Sequence, residues 1–431
     1  MDIRQFNRGD PVSDYPFADN DPHEGLFENS NFLGLRNNVG DEGFGLGDLV
    51  TATNVDINDS LELLRRKGYS APVVAGVDRS LWARGSVCLG VGSNSLKLIN
   101  PDFSTAVLRS GLTPNLPLDY DVVADRVYYS NGVETGCVQG GQHRTWGLAV
   151  PGVVTLAATG GTLLAGDYQI AVTYLRADGQ ESGTGRARAI TLAAAGGIAL
   201  SAIPISADPT VVAKNIYATS VGGQTLYLNG TIPNSQTTYT LPAIQHDAFP
   251  LLTQFMGPAP AGEWVGYWKG WMLVASGNRL YPGEHYAPEL FDYRKSVPFL
   301  DRITMVAPLN NKTDCVWVGT TNQVVFMGGD SPETWRYQST ADYGVIPGTL
   351  TFADGELFGG GDEDRGNTVA VFATTRGLCV GHSDGSFKNL TEQRYAYPSM
   401  DRGAAIVRRH RGIAQYVCSL EGIAVAGNVA A

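Results

Sequence analysis

From residue 81 onward the chain repeats one pattern: a short apolar run, a turn of glycine, asparagine, serine or aspartate, then a second apolar run. Residues 82–91 lead through Gly92-Ser93-Asn94 to 96–99, and residues 122–129 lead to Ser130-Asn131-Gly132. The order recurs at 268–275 before Ser276-Gly277-Asn278, and at 315–318 before Gly319-Thr320-Thr321-Asn322 and 324–327. Residues 351–358 and 378–387 continue it. Short runs rich in Val, Tyr, Phe and Trp between such turns predict strands. Branched and aromatic side chains pack on a pleated surface, and Gly or Asn supplies the positive φ of tight hairpins.

Where the pattern is clear, the turns fall roughly 40 to 50 residues apart, the length of one four-stranded β-propeller blade. The step from Asn131 to Asn278 is too long by about one small domain, which predicts an insertion over residues 151–250. Within it, 168–174 has strand period, Ala177-Asp178-Gly179 is a hairpin signal before Glu181-Ser182, and 215–219, Gly222-Gly223 and 226–228 form a second hairpin. Residues 237–240 make a last strand, and such spacing predicts a β-sandwich. The segments 166–182 and 215–240 resemble a fibronectin-type-III or immunoglobulin-like module. The expected organisation is therefore an arm at 1–33, propeller at 34–150, the Ig-like insert at 151–250, and propeller again at 251–431.

The stretch 34–69 has its own logic. A glycine-rich loop precedes a strand at 49–57, Asn58-Asp59-Ser60 offers turn chemistry, and a second element at 61–66 stops at Gly68-Tyr69. A ring of blades needs its last sheet closed, so 49–57 or 61–66 is expected to pair with 404–419, removing exposed edges. The closure candidates are Asn54, Asp56, Arg65, Arg66 and Tyr69, with an ion pair between Asp56 and Arg65.

Composition agrees with an all-β chain: 53 glycines among 431 residues, 43% hydrophobic and only 17% charged residues suit many tight turns around a core. A net charge of −11 argues against holding nucleic acid by phosphate neutralisation. Arg65-Arg66-Lys67 and Arg408-Arg409-His410-Arg411 are basic clusters; solvated strand ends are the plain reading, and Arg408, Arg409 and Arg411 the candidate partner contacts. The five cysteines have no CxxC spacing and read as small core hydrophobes. The N-terminal residues lack the order of a signal peptide, and no apolar run of about 18 residues would span a membrane, so synthesis in a cytoplasm is expected.

Candidate chemistry thins out on inspection. Gly43-Phe44-Gly45-Leu46-Gly47-Asp48 lacks the helix that would receive a pyrophosphate, and neither a phosphate loop nor a GxSxG elbow occurs. Asp362-Glu363-Asp364 reads as a solvated acidic turn before it reads as a calcium site. The histidines show no metal-ligand spacing. No catalytic, cofactor or metal residues are expected, and no enzyme.

The order Asn37-Asn38, Leu49-Val50, Asn54-Val55-Asp56-Ile57, Leu64-Arg65-Arg66 and Gly68-Tyr69 resembles the N-terminal lead-in of the β-propeller tail proteins of short-tailed bacteriophages, the packaged-DNA stabilisation, tail-hub or nozzle proteins. Gly329-Asp330-Ser331-Pro332-Glu333-Thr334-Trp335, after a Val-Val-Phe strand, resembles a blade turn of the same family. The resemblance implies a virion tail protein made in the bacterial host. Six copies would form a ring below portal and adaptor, pass double-stranded DNA, and offer surfaces to tail fibres or a needle. Acidic residues Asp41, Glu42, Asp48, Asp362, Glu363 and Asp364 would then face the bore. The rival is a glycan-binding or sialidase-like propeller. Against hydrolysis, Ser383-Asp384-Gly385 lacks the spacing of a sialidase box. For binding, Trp264, Tyr267, Trp268 and Trp271 are the exposed-aromatic candidates, though their alternation reads better as core.

Overall fold

A computed structural model describes residues 33–36, 45, 47–49, 52, 55–58, 60–66, 74–245, 248–311, 313–358, 366–392, 394–395, 400–410 and 413–421. Among the described residues every regular element is a strand, apart from 3-10 turns at Pro332–Thr334 and Gly355–Phe358. The all-β expectation holds. The chain divides into two compact units, one of residues 1–73 with 307–431 and one of residues 74–306.

In the first unit β1 (Gly34–Leu35) and β2 (Asp48–Leu49) pair in parallel, and β3 (Val55–Ile57) and β4 (Leu63–Arg65) pair antiparallel.

Unit 74–306 opens with two four-stranded meanders: β5–β8 (Arg79–Arg84, Val87–Gly92, Ser95–Ile99, Thr105–Arg109) and β9–β12 (Asp119–Val123, Arg126–Ser130, Thr135–Gln139, Gln142–Arg144). Ser93 and Asn94 at φ 51° and 57° make the two-residue turn whose twist suits a hairpin, which closes the Gly92↔Ser95 register. Gly92 is required for a second reason: a Cβ there would lie 1.7 Å from the Gly76 carbonyl oxygen. The facing sides of these sheets share a core of Leu89, Val91, Leu96, Val127, Tyr129 and Val138.

The middle of the unit forms two further sheets. β13 (Thr155–Leu163), β16 (Gly196–Ser201) and β19 (Tyr239–Leu241) make one, in the order β13-β16-β19. β14 (Gly166–Arg176), β15 (Arg188–Leu192), β17 (Val211–Ala218) and β18 (Tyr227–Pro233) make the other, in the order β15-β14-β17-β18. Tyr168, Ile170, Val172 and Ile216 from one sheet share a core with Leu163, Ile198, Leu200 and Leu241 from the other. The sheet β20–β24 (Trp264–Trp268, Trp271–Ser276, Arg279–Glu284, Ala287–Phe291, Val297–Pro298) follows. It shares Val265, Met272, Val274 and Phe291 with Tyr128, Cys137 and Trp146.

The opening strands of successive meanders are tied by side chains. The Leu118 amide donates to Ser80 Oγ at 2.8 Å, and the Val265 and Tyr267 amides donate to Asp119 and Asp121 carboxylates at 2.7 and 2.6 Å. Asp119 and Asp121, two apart on β9, point the same way and cap alternate amides of β20, since strand side chains have period two.

β25 (Ile303–Leu309) runs across the division at 306/307 and leads the sheet β25–β28 with Cys315–Thr320, Val324–Gly328 and Arg336–Ala341. The sheet β29–β32 (Thr351–Asp354, Thr368–Thr374, Gly377–Gly381, Phe387–Asn389) follows, and then the hairpin β33–β34 (Arg402–His410, Ile413–Glu421). Trp317 of β26 is fully buried, donates its indole N–H to the His382 carbonyl at 3.0 Å, and lies against Phe326 and Phe387. Val369, Val371 and Val380 pack with Val407 and Tyr416 of the terminal hairpin.

The expected pairing of 49–57 or 61–66 with 404–419 is absent among the described residues. β3 pairs with β4, and β33 pairs with β34 over nine registered positions. Each strand's backbone groups are met by its own sequence neighbour, so the two ends of the chain meet through side chains instead.

Candidate functional site

The densest polar constellation surrounds Glu289, a fully buried residue on β23. Arg126 opens β10, Arg144 closes β12, and Arg176 closes β14 just before the turn that carries Asp178. Each arginine sits at a strand end, where a long side chain can reach past the last apolar pair. Glu289 Oε1 accepts from Arg126 at 3.1 Å and Arg144 at 2.6 Å, and Oε2 from Arg176 at 2.7 Å. Asp178 Oδ2 accepts from Arg126 at 3.3 Å and Arg144 at 3.0 Å.

A second tier extends the network: Arg176 Nε donates to Thr210 at 3.1 Å and its NH2 to Thr145 at 3.3 Å, while Thr145 donates to Asp208 at 2.6 Å. Burial tends to raise the carboxyls of Asp178 and Asp208, but backbone and arginine contacts at Asp178, and threonine bonds at Asp208, outweigh it and hold both below the usual range. Burial, with Glu289 second, pushes the Tyr128 phenol well up. Burial raises the Cys137 thiol to about 11, which makes it a poor nucleophile at neutral pH.

Three guanidinium groups thus meet two carboxylates at the junction of β9–β12, the 155–241 sheets and β20–β24. The arginines spend their donors on the protein's own acids. The chemistry is that of a fastener: charge-assisted bonds of fixed geometry join the three sets of strands. Among the described residues no group of three or more His, Cys, Asp or Glu could hold a metal ion, and all five cysteines are free thiols.

Asp56 Oδ1 on β3 accepts from both Nε and NH2 of Arg66, at 3.0 and 2.9 Å, and Oδ2 forms a second ion pair with Arg408 at 3.5 Å. The expected partner Arg65 is wrong by one residue. Asp56 lies opposite Leu64 in the ladder, so Arg66, two further on, shares its face, whereas Arg65 points to the other side. Arg408 donates also to Gln415 at 2.8 Å, and Arg409 is exposed.

Asp48 is only 4% exposed and takes Arg36 at 3.0 Å, Arg394 at 3.4 Å and the Gly45 amide at 3.0 Å. Burial raises its carboxyl, but the Gly45 amide and the arginines win and hold it below the usual range. A buried acid so engaged is a tether between the chain's two ends, not the solvated bore residue expected of it. Asn54, Tyr69, Arg411, Asp41, Glu42, Asp362, Glu363 and Asp364 lie outside the described residues.

Of the aromatic candidates, Trp268 is fully buried, Trp264 is half-buried with its indole on the Ile303 carbonyl at 3.1 Å, and Tyr267 and Trp271 are half-buried. The Glu289 cluster escaped the sequence reading because its members stand up to 163 positions apart. The one signal was a charge set in an otherwise apolar strand, as in Pro288-Glu289-Leu290-Phe291 and Tyr174-Leu175-Arg176.

No family model matches the chain, and no curated protein does. Among solved structures, a streptogramin B lyase is similar at 9% identity and TM-score 0.32, over 81% of this chain and 96% of that one. An extracellular domain assigned to a one component system of B. thetaiotaomicron is similar at 12% identity and TM-score 0.29, over 77% of this chain and 36% of that one. One assigned to a hybrid two component system of the same organism is similar at 7% identity and TM-score 0.27, over 79% and 38%. Likenesses this faint carry no conclusion about the chain's fold or function. No helix among the described residues is long and apolar enough to cross a membrane.

Proposed function

We propose that this chain is a structural tail protein of a short-tailed bacteriophage, a β-propeller with an Ig-like insert, assembling as a ring of six beneath portal and adaptor. The observation that carries the reading is the stretch 37–69, whose residues resemble that family's lead-in and whose Asp48 and Asp56 hold Arg394 and Arg408 from the chain's other end. Serial meander sheets, with the opening strands of the first three tied by Ser80, Asp119 and Asp121, agree with blades ordered about an axis. In this reading the hairpins β3–β4 and β33–β34 together supply the closing blade, docked by Asp56–Arg408 rather than by strand exchange.

The insert spans 151–250, and the Glu289 cluster gives it a fixed pose from which tail fibres or a needle could be held. The role is conduit and genome retention, without enzymatic chemistry, cofactor or metal. A sialidase-like alternative draws no support from the three arginines, because Glu289 and Asp178 already engage them.

Native mass spectrometry tests the reading. The purified chain alone should be a monomer, and with the portal–adaptor complex of its phage it should add six copies. Absence of assembly, or release of sugars from capsule or lipopolysaccharide by the purified chain, overturns it.

A further inference from the structure

The two sheets within 155–241 keep their apolar surface to themselves. Every buried member of their shared core lies between Val154 and Leu241. The core that joins β9–β12 to β20–β24, with Tyr128, Trp146, Met272 and Phe291, takes no member from 148–257. Polar bonds join the two bodies: Arg176 to Glu289, Asp178 to Arg126 and Arg144, and Thr145 to Asp208.

The chain crosses between these bodies at two points that lie against each other. The Ala259 amide donates to the Trp146 carbonyl at 3.4 Å, and the Trp146 indole donates to the Pro288 carbonyl at 2.7 Å. Gly147, at φ 80°, is required at the crossing, since a Cβ there would lie 2.5 Å from the Glu289 carbonyl oxygen and 2.9 Å from Pro258 Cα. These contacts belong to the surrounding strands, so the crossing stays stitched whether or not the inserted sheets are folded. Glu289 likewise keeps Arg126 and Arg144, both from β9–β12, when Arg176 leaves it. On the inserted side, the Thr162 amide of β13 donates to the Pro242 carbonyl, just past β19, at 2.9 Å, which holds the first and last strands together.

We infer that residues 148–257 open as a cooperative unit of their own while β9–β12 and β20–β24 stay folded, and that those sheets open without it. Apolar burial gives each body its own cooperativity. A charged joint regains water when it parts, which offsets much of the lost attraction, so it couples the two bodies weakly. An inserted unit whose core ran into its host would instead unfold with it. The device is a module that comes loose and docks again on a scaffold that remains closed. The inference stands on the separate cores and the stitched crossing and does not require the tail reading.

The test is native-state hydrogen exchange on the full chain, read peptide by peptide. Ile198→Ala hollows the inserted core and Val274→Ala the other, and both side chains are fully buried. The expected result is that Ile198→Ala speeds exchange in β14, β16 and β17 about tenfold or more and leaves β10 and β21 within about twofold of wild type, and that Val274→Ala does the reverse. Should Ile198→Ala leave its own sheets unfolded, protection that persists in β10 and β21 upholds the inference and loss of it there overturns it. The milder Ile198→Val puts the same question to a chain that stays folded throughout. Comparable acceleration of both sets of strands by either core variant overturns the inference.

Discussion

At the scale of single residues, a buried acid with several cationic partners sets what a substitution costs. Glu289 is fully buried and meets three guanidinium groups drawn from two other sheets. Removing one member of such a network leaves the others desolvated and uncompensated, which costs about 3–5 kcal/mol, whereas an exposed pair is worth under about 1. Glu289→Ala should therefore lower the unfolding free energy by about 3 kcal/mol in urea titration. Arg302→Ala, breaking a pair with Glu263 in which the arginine is 63% exposed, should change it by less than about 1 kcal/mol. Equal effects would show that burial does not govern the Glu289 cluster.

Asp119 and Asp121 show the opposite electrostatics. Burial, the largest influence on each, pushes their carboxyls up to about 7 and about 6 despite the backbone amides that favour the charged form. The folded chain therefore holds protons that the unfolded chain releases near pH 4. Stability from this pair is present below about pH 4 and is lost as pH rises through 6 and 7, the reverse of an ion-paired aspartate. Asp119→Asn keeps an oxygen for the Val265 amide and removes the titration. It should raise the melting temperature at pH 8 relative to wild type, by an amount worth about 1 kcal/mol, with little change at pH 4.5. A difference that does not shrink with falling pH would refute the assignment.

At the scale of elements, the legible parts were those with a side-chain period. β6, β7, β10, β17 and β26 follow from alternating or continuous apolar runs bounded by turn residues, and Ser93-Asn94 marks its hairpin. β13 and β16 were missed, because residues 155–163 and 193–199 are mostly threonine, alanine and glycine, and Leu156, Leu163 and Ile198 among them set no apolar rhythm. Close backbone approach takes the place of side-chain pattern there: a Cβ on Gly161 would lie 2.5 Å from the Gly196 carbonyl oxygen. The ion pair of Asp56 was legible in the acid and not in its partner, since the strand register puts Arg66 and not Arg65 on its face. The difference is testable. Asp56→Ala should speed amide exchange in β3–β4 and β33, while Arg65→Ala, on the far face, should leave both protected as in wild type. Matching exchange in the two variants would dissolve the docking role of Asp56.

At the scale of the whole molecule, a protein lining a DNA duct must not grip what passes through it. One attractive phosphate contact per subunit would be multiplied around a ring and would retard transit. Charge was the part of this reading available from composition alone, at −11. The positions expected to present that charge to the bore were not legible: Asp48 is spent on Arg36 and Arg394, and its companions lie outside the described residues. Several arginines are likewise engaged by the protein's own acids, with Arg408 on Asp56 and Arg126, Arg144 and Arg176 on Glu289. Free duplex DNA should therefore not shift in a gel with the purified chain at about 150 mM salt, and lowering salt to about 50 mM should bring little binding, because the net charge of −11 opposes the phosphates. Tight binding with a steep salt slope would mean that a basic surface overrides the net charge, and would overturn the proposed conduit role.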